Sequence, residues 1–255
     1  MIENVLEVTR LAGEIVRTGF GKNFSIETKT NDSNIVTDID KKSEAAIINY
    51  INKKFPSHGI LAEESGADLK NSEYIWVVDP IDGTTNFAHG LPIFSVSIGL
   101  TKNGKTICGA VYDVMRDMMY SAELGSGSFV NWKKIRVTDN SNMAQSVLVT
   151  GFPYNIKDNP DNAVEKFTAF LNSCRAVRRL GSAAIDLCYL AQGIFDGFWE
   201  VSLHPWDFCA GQLIVEEAGG KVTDFNNNQL TINSSQLLAS NNRIHEKMLQ
   251  ILQEN

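Results

Sequence analysis

Acidic side chains at three places in the chain have the types and spacing needed to gather around a divalent cation. The most informative stretch is Val77-Val78-Asp79-Pro80-Ile81-Asp82-Gly83-Thr84-Thr85-Asn86-Phe87. Ile75, Trp76, Val77 and Val78 read as a buried strand that runs directly into Asp79. Pro80 is expected to stop the ladder there, and Asp82-Gly83 to turn the chain. Two carboxylates three residues apart at a strand end can converge on one point, and the Ile81 carbonyl between them offers a third oxygen. Hard oxygen donors of this kind select Mg²⁺ or Mn²⁺ over zinc. Taken alone, the segment reads first as an Asx-type turn.

Two other segments add carboxylates. Glu63-Glu64-Ser65 follows the short apolar run Gly59-Ile60-Leu61-Ala62, and Trp206-Asp207 follows Pro205 at the start of a helical pattern. By itself Asp207 reads as a helix N-cap, and Asp38 or Asp40 could cap the second helix in the same way.

The elements that must position these residues fall into two halves. Val5, Leu6, Val8, Leu11, Ala12, Ile15 and Val16 recur at helical spacing, and a second helix is expected from Asp40 through Ile51, ending before Pro56. Phe94–Thr101 and Lys105–Val114 read as strands joined by Asn103-Gly104, a strong hairpin signal, with Met118–Glu123 and Gly127–Val130 extending the sheet. Residues 1–137 are therefore expected to hold two helices and a largely antiparallel sheet. Residues 138–255 alternate strands and helices, as in an α/β half with a mixed or parallel sheet, packed on the first across a seam that no linker composition marks.

With 255 residues, 43% of them hydrophobic and 21% charged, the chain can bury a large core. The net charge of −7 argues against direct nucleic-acid binding, though cations can still bridge acidic residues to a phosphorylated small molecule. Cys108, Cys174, Cys188 and Cys209 are scattered, as reduced thiols of a cytoplasmic enzyme would be. No uninterrupted apolar stretch suggests a signal peptide or a membrane span.

Taken in order, Glu63-Glu64-Ser65, Asp79-Pro80-Ile81-Asp82-Gly83-Thr84-Thr85-Asn86 and Trp206-Asp207 with Gly219-Gly220 closely resemble the inositol monophosphatase family of lithium-sensitive, metal-dependent phosphatases. The resemblance covers nearly the whole chain. It implies an α/β fold, a layered α/β/α/β/α sandwich, as a homodimer. It also implies two or three Mg²⁺ per site, with Mn²⁺ as a substitute: Glu63, Asp79 and the Ile81 carbonyl on the first, and Asp79, Asp82 and Asp207 on the second. Glu63 and Thr84, or Asp40 through Thr84, would orient and deprotonate the attacking water. Asp82, Gly83, Thr84, Ser182, Ala183, Glu200 and Asp207 would contact substrate, with Glu200 accepting from polyol hydroxyls.

The activity implied is hydrolysis of myo-inositol 1-phosphate or a related small sugar or polyol phosphate. A fructose-1,6-bisphosphatase, another small-phosphate phosphatase and an added accessory role in transcription stay open. Arg178 and Arg179 could face a second phosphate or a dimer partner, while His89, His204, Trp199 and Trp206 read as structural. Gly125-Ser126-Gly127 reads as a turn, Asn131-Trp132 as an unusual turn with an exposed aromatic, and Lys22–Asn34 as a mobile loop over the site.

Overall fold

Val5, Val8, Ala12 and Val16 lie one helical turn apart, and all four are fully buried along α1 (Ile2–Gly19). Each such valine contributes about 1.5–3 kcal/mol by leaving water. The computed structural model describes residues 1–29 and 32–254. After α1 come β1 (Ile26–Thr28) and β2 (Ile35–Thr37), which pair as a hairpin, and then α2 (Asp38–Lys54). Part of the expected mobile loop, Thr30 and Asn31, lies outside the described residues.

An eight-stranded sheet comes next, built from β3 (Gly59–Ala62), β4 (Gly66–Asp68), β5 (Tyr74–Asp82), β6 (Ser95–Lys102), β7 (Lys105–Asp113), β8 (Met118–Glu123), β9 (Gly127–Val130) and β10 (Lys133–Lys134), with α3 (Thr84–Ala88) between β5 and β6. Its order is β10-β9-β8-β7-β6-β5-β3-β4, antiparallel except for the parallel pair β3/β5. The remaining elements are β11 (Val147–Thr150), α4 (Ala163–Ser173), β12 (Ala176–Arg178), α5 (Ala183–Ala191), β13 (Gly197–Glu200), α6 (Pro205–Glu217), β14 (Lys221–Thr223), β15 (Leu237–Ser240) and α7 (His245–Glu254). Their strands form a mixed sheet in the order β12-β11-β13-β15-β14.

Side-chain alternation sets the layers. α1 and α2 cover the outer face of the larger sheet, and α5 and α6 lie between the sheets. On β13, Phe198 points into that middle layer while Trp199 points the other way, onto Phe170 of α4 and into the cluster that holds Met248 of α7. The result is the expected α/β/α/β/α sandwich.

One close approach between helix and sheet positions the site. Gly99 and Gly109 face each other across β6 and β7, and α6 lies directly on them. A Cβ on Gly109 would come within 3.0 Å of the Ala210 backbone, and one on Gly99 within 2.5 Å of Cys209 Sγ. Without side chains there, the first turn of α6 settles beside the end of β5.

Three local expectations are corrected. β5 does not stop at Pro80 but continues to Asp82, because the missing N–H falls at a register shift between Asp79 and Asp82. α2 is capped by neither Asp38 nor Asp40: Thr37 is the N-cap, and Asp40 closes a capping box from the third helical position. Likewise Asp207 stands at the third position of α6, where it closes a box with His204.

Candidate active site

Three backbone registers bring the acidic segments to one place. β3 and β5 run parallel, with Ala62, the last residue of β3, opposite Val78, and the Glu63 amide donates to the Val78 carbonyl at 3.1 Å. Glu63 therefore stands beside Asp79. Asp79 pairs with Ser97 of β6, whose hydroxyl donates to the Trp206 carbonyl at 3.3 Å, and that contact anchors Asp207 next to the same strand end.

Asp82 is gripped from α5. Ser182 Oγ and the Ala184 amide donate to its Oδ2 at 2.5 and 2.8 Å, so one carboxylate oxygen ties the two halves of the chain together. Asn86 strengthens this junction by donating from Nδ2 to the Leu180 and Ile93 carbonyls, each at 2.8 Å. Between them Gly83 takes φ +96°, a left-handed conformation that glycine adopts without strain.

Glu63, Asp79, Asp82, Asn86, Ser182 and Asp207 line one cleft of about 1070 Å³, together with Ile81, Gly83, Thr84, Ala183 and Glu200. Of the site residues that the resemblance implies, Asp40 alone stands behind the wall. It is fully buried, with Oδ2 accepting from the Thr37 amide at 2.8 Å and from the Thr37 hydroxyl at 2.5 Å. Thr84 Oγ1 bridges it to the cleft, 3.0 Å from Asp40 Oδ1 and 2.9 Å from the Ile81 carbonyl.

Crowding of like charges dominates the electrostatics. Asp79 is 1% exposed, its Oδ1 has no hydrogen-bond partner among the described residues, and burial with the charges of Glu63, Asp82 and Asp207 pushes its carboxyl well above the usual range. Burial also raises Asp82 to about 6, against the hydrogen bonds from Ser182 and Ala184. Asp207 is raised too, by burial and then by its proximity to Asp82. Among the described residues, no three acidic, histidine or cysteine side chains are drawn together tightly enough to hold a metal ion as they stand. Each is pulled elsewhere: Asp82 to Ser182, Asp207 Oδ2 to the His204 amide at 2.7 Å, and Glu63 Oε1 to Lys29 Nζ at 2.8 Å.

Even so, the donor set fits a hard divalent cation. It offers an orphaned buried oxygen on Asp79, carboxylates that repel one another and, among the described residues, no sulfur ligand in the cleft wall.

Several cleft residues were not singled out from sequence. Lys29 pairs with both Glu63 and Glu64, a contact across 34 residues that no local pattern announces. Tyr154, which follows β11, lines the cleft with 48% of its surface exposed. Thr37 could have been found, since Thr37-x-x-Asp40 is a capping-box spacing. Arg179 lines the cleft, which places one of the two arginines, and so do His89 and the half-buried Trp206, stacked on His204. Trp199 is core, Gly125–Gly127 is a turn held by Glu217, and Trp132 is 80% exposed.

The whole chain, residues 1–255, matches the inositol monophosphatase family model. This protein belongs to the inositol monophosphatase family. It is 42% identical over 255 residues to the Nus factor SuhB of Pasteurella multocida, covering 99% of this chain and 96% of that one. It is 41% identical to the chloroplastic phosphatase IMPL1 of Arabidopsis thaliana, over 97% of this chain and 69% of that one. The structure of an inositol monophosphatase from Anabaena superposes with a TM-score of 0.90 at 39% identity, covering 99% of this chain and 95% of that one. The chain is thus a phosphatase of that family. Among the described residues, no helix is long and apolar enough to cross a membrane.

Proposed function

We propose that the chain is a Mg²⁺-dependent phosphomonoesterase acting on inositol monophosphate or a related small polyol phosphate. The carrying observation is the orphaned Asp79 Oδ1, buried among Glu63, Asp82 and Asp207 at the floor of the cleft. Glu63, Asp79, the Ile81 carbonyl, Asp82 and Asp207 would hold the cations. Bound there, Mg²⁺ supplies charge neutralisation for the phosphate dianion and lowers the pKa of water.

The chain's own residues do the rest. Thr84 Oγ1 has a lone pair left to accept a hydrogen bond from the attacking water, while its own proton points toward Asp40 Oδ1 or the Ile81 carbonyl. Burial raises the carboxyl of Asp40, which makes it a better acceptor for a proton passed through Thr84. Glu63, at the cleft surface, is the alternative base. Gly83 and Thr84 face the phosphate, and Ser182 with Ala183 shapes the floor under the alcohol. Glu200 accepts from its hydroxyls: it closes β13 and packs over Gly151, where any Cβ would collide with its carboxylate. A cytoplasmic location, which the four free cysteines support, and a homodimer belong to the same proposal.

The test is phosphate release from a panel of esters with Mg²⁺ and after EDTA, using wild type and Glu200→Ala. Mg²⁺-dependent release from inositol 1-phosphate, impaired in Glu200→Ala mainly on that ester, supports the reading. Preference for a bisphosphate would keep the metal chemistry and shift the substrate assignment toward Arg179. The name Nus factor on the Pasteurella multocida relative favours a second reading, an accessory role in transcription carried by the surface. That role would survive replacement of Asp79, whereas hydrolysis would not.

A further inference from the structure

Asp186 is a charged residue with no evident structural task. It stands in the first turns of α5, is 1% exposed, and lines the same cleft as Glu200. An acidic residue at that position suits the helix dipole, but the capping is done by another residue, since Ser182 Oγ accepts from the Ile185 amide. Asp186 Oδ1 is buried with no hydrogen-bond partner among the described residues. Buried carboxylates are normally paired or hydrogen-bonded, and an orphan on a residue that lines a cleft points to a ligand that completes it.

Its surroundings narrow the kind of ligand. The charges it senses are Glu200, Asp82 and, opposing them, Arg179. Glu200 likewise senses Asp82 and Arg179, and its carboxyl is raised by burial to about 8. Two carboxyl groups lining one cleft, one balancing cation, and Asp82 at the phosphate end supply acceptors beside the place where the alcohol would lie. A single acceptor reads one hydroxyl. Two acceptors on different elements, α5 and β13, can read two hydroxyls of one ring.

We propose that Asp186 is a second specificity residue, which together with Glu200 accepts hydrogen bonds from neighbouring hydroxyls of a polyol phosphate. This rests on the phosphatase reading above and narrows its substrate to alcohols carrying at least two hydroxyls near the ester. A phosphate ester of a hydroxyl-free alcohol offers neither carboxyl group a partner, and a site built to bind hydroxyls discriminates against such an ester.

The experiment compares wild type, Asp186→Asn and Asp186→Ala on myo-inositol 1-phosphate and on 4-nitrophenyl phosphate, with Mg²⁺. The dissociation constant for inositol 1-phosphate is measured by calorimetry alongside, and Tm for each variant. Expected is a loss of about tenfold or more in kcat/KM and in affinity for the inositol ester, with 4-nitrophenyl phosphate turnover unchanged within about twofold. Asp186→Asn should keep or raise Tm, because it removes a buried charge, whereas a structural role would lower it. Equal losses on both esters, or no loss on either, overturn the proposal. If wild type releases no phosphate from any ester, the phosphatase reading fails on its own, and the calorimetric arm still decides whether Asp186 binds the polyol.

Discussion

Lys29 Nζ lies 2.8 Å from Glu63 Oε1 and 2.5 Å from Glu64 Oε1, so an ammonium group one residue past β1 engages a carboxylate proposed for the metals. All three side chains are at most 20% exposed, and burial of this kind makes an ion pair costly to break from one side only. A divalent cation that recruits Glu63 must compete with Lys29. Lys29→Gln is therefore expected to tighten Mg²⁺ binding by about tenfold and to lower the Tm of the metal-free protein. Titration calorimetry checks the first and a thermal melt in EDTA the second. Weaker Mg²⁺ binding in the variant would show that Lys29 assists the site.

Thr84 and Asp40 should behave as a unit. Thr84→Ala removes the hydroxyl that links the cleft to Asp40, and is expected to lower kcat by about 100-fold or more with KM nearly unchanged. Thr84→Ser keeps the hydroxyl and should recover most of the rate. Asp40→Asn in the Thr84→Ala background should cost little further, since coupled residues are not additive. Steady-state kinetics on these variants and wild type decides it, and independent, multiplying losses would count against the relay.

Acid should weaken the fold through His245. Its ring lies between Thr223 Oγ1 at 3.0 Å and Ser240 Oγ at 2.9 Å, and burial, helped by the charge of Lys221, lowers its pKa from 6.5 to about 4. As pH falls through that window only the unfolded chain gains the proton, so stability is lost from 6.5 down to about 4 and levels off below. The contribution is on the order of 3 kcal/mol. Denaturant melts of the metal-free protein against pH should show a shallower acid limb in His245→Gln than in wild type. Identical limbs would mean that the ring is protonated in the fold.

Much of the scaffold was legible because its signals are local. The valine stripe of α1 and the Asn103-Gly104 turn, where both residues take positive φ of 51° and 77°, follow from neighbours in sequence. Strands of two or three residues, β4, β10 and β12, are too short to show alternation, and α3 is too short to show a helical period. Pro80 misled because a bulge lets the ladder resume at Asp82 paired with Ser95. In the site, the acidic segments could be read one by one, but not the contacts that join them. The grip of Ser182 on Asp82, the pairing of Lys29 with Glu63, and the orphaned Asp186 exist only once distant elements pack.

The division into 1–137 and 138–255 stands as a proposal of the same kind. Strands of the larger sheet end at Lys134 and those of the smaller begin at Val147, yet α6 from the second half packs on the first. A core shared in this way should unfold as one unit.

Asp79, as the shared anchor of a Mg²⁺ site that performs hydrolysis, is the residue on which the proposed chemistry turns. Asp79→Asn tests it most directly, through Mg²⁺-dependent phosphate release from inositol 1-phosphate and the Tm shift on adding Mg²⁺. The predicted result is a loss of turnover by several orders of magnitude, a lost or much reduced Mg²⁺ shift, and a metal-free Tm at or above that of wild type, since a buried, crowded charge has been removed. Near-normal turnover in Asp79→Asn, or wild-type release that persists in EDTA, would contradict it.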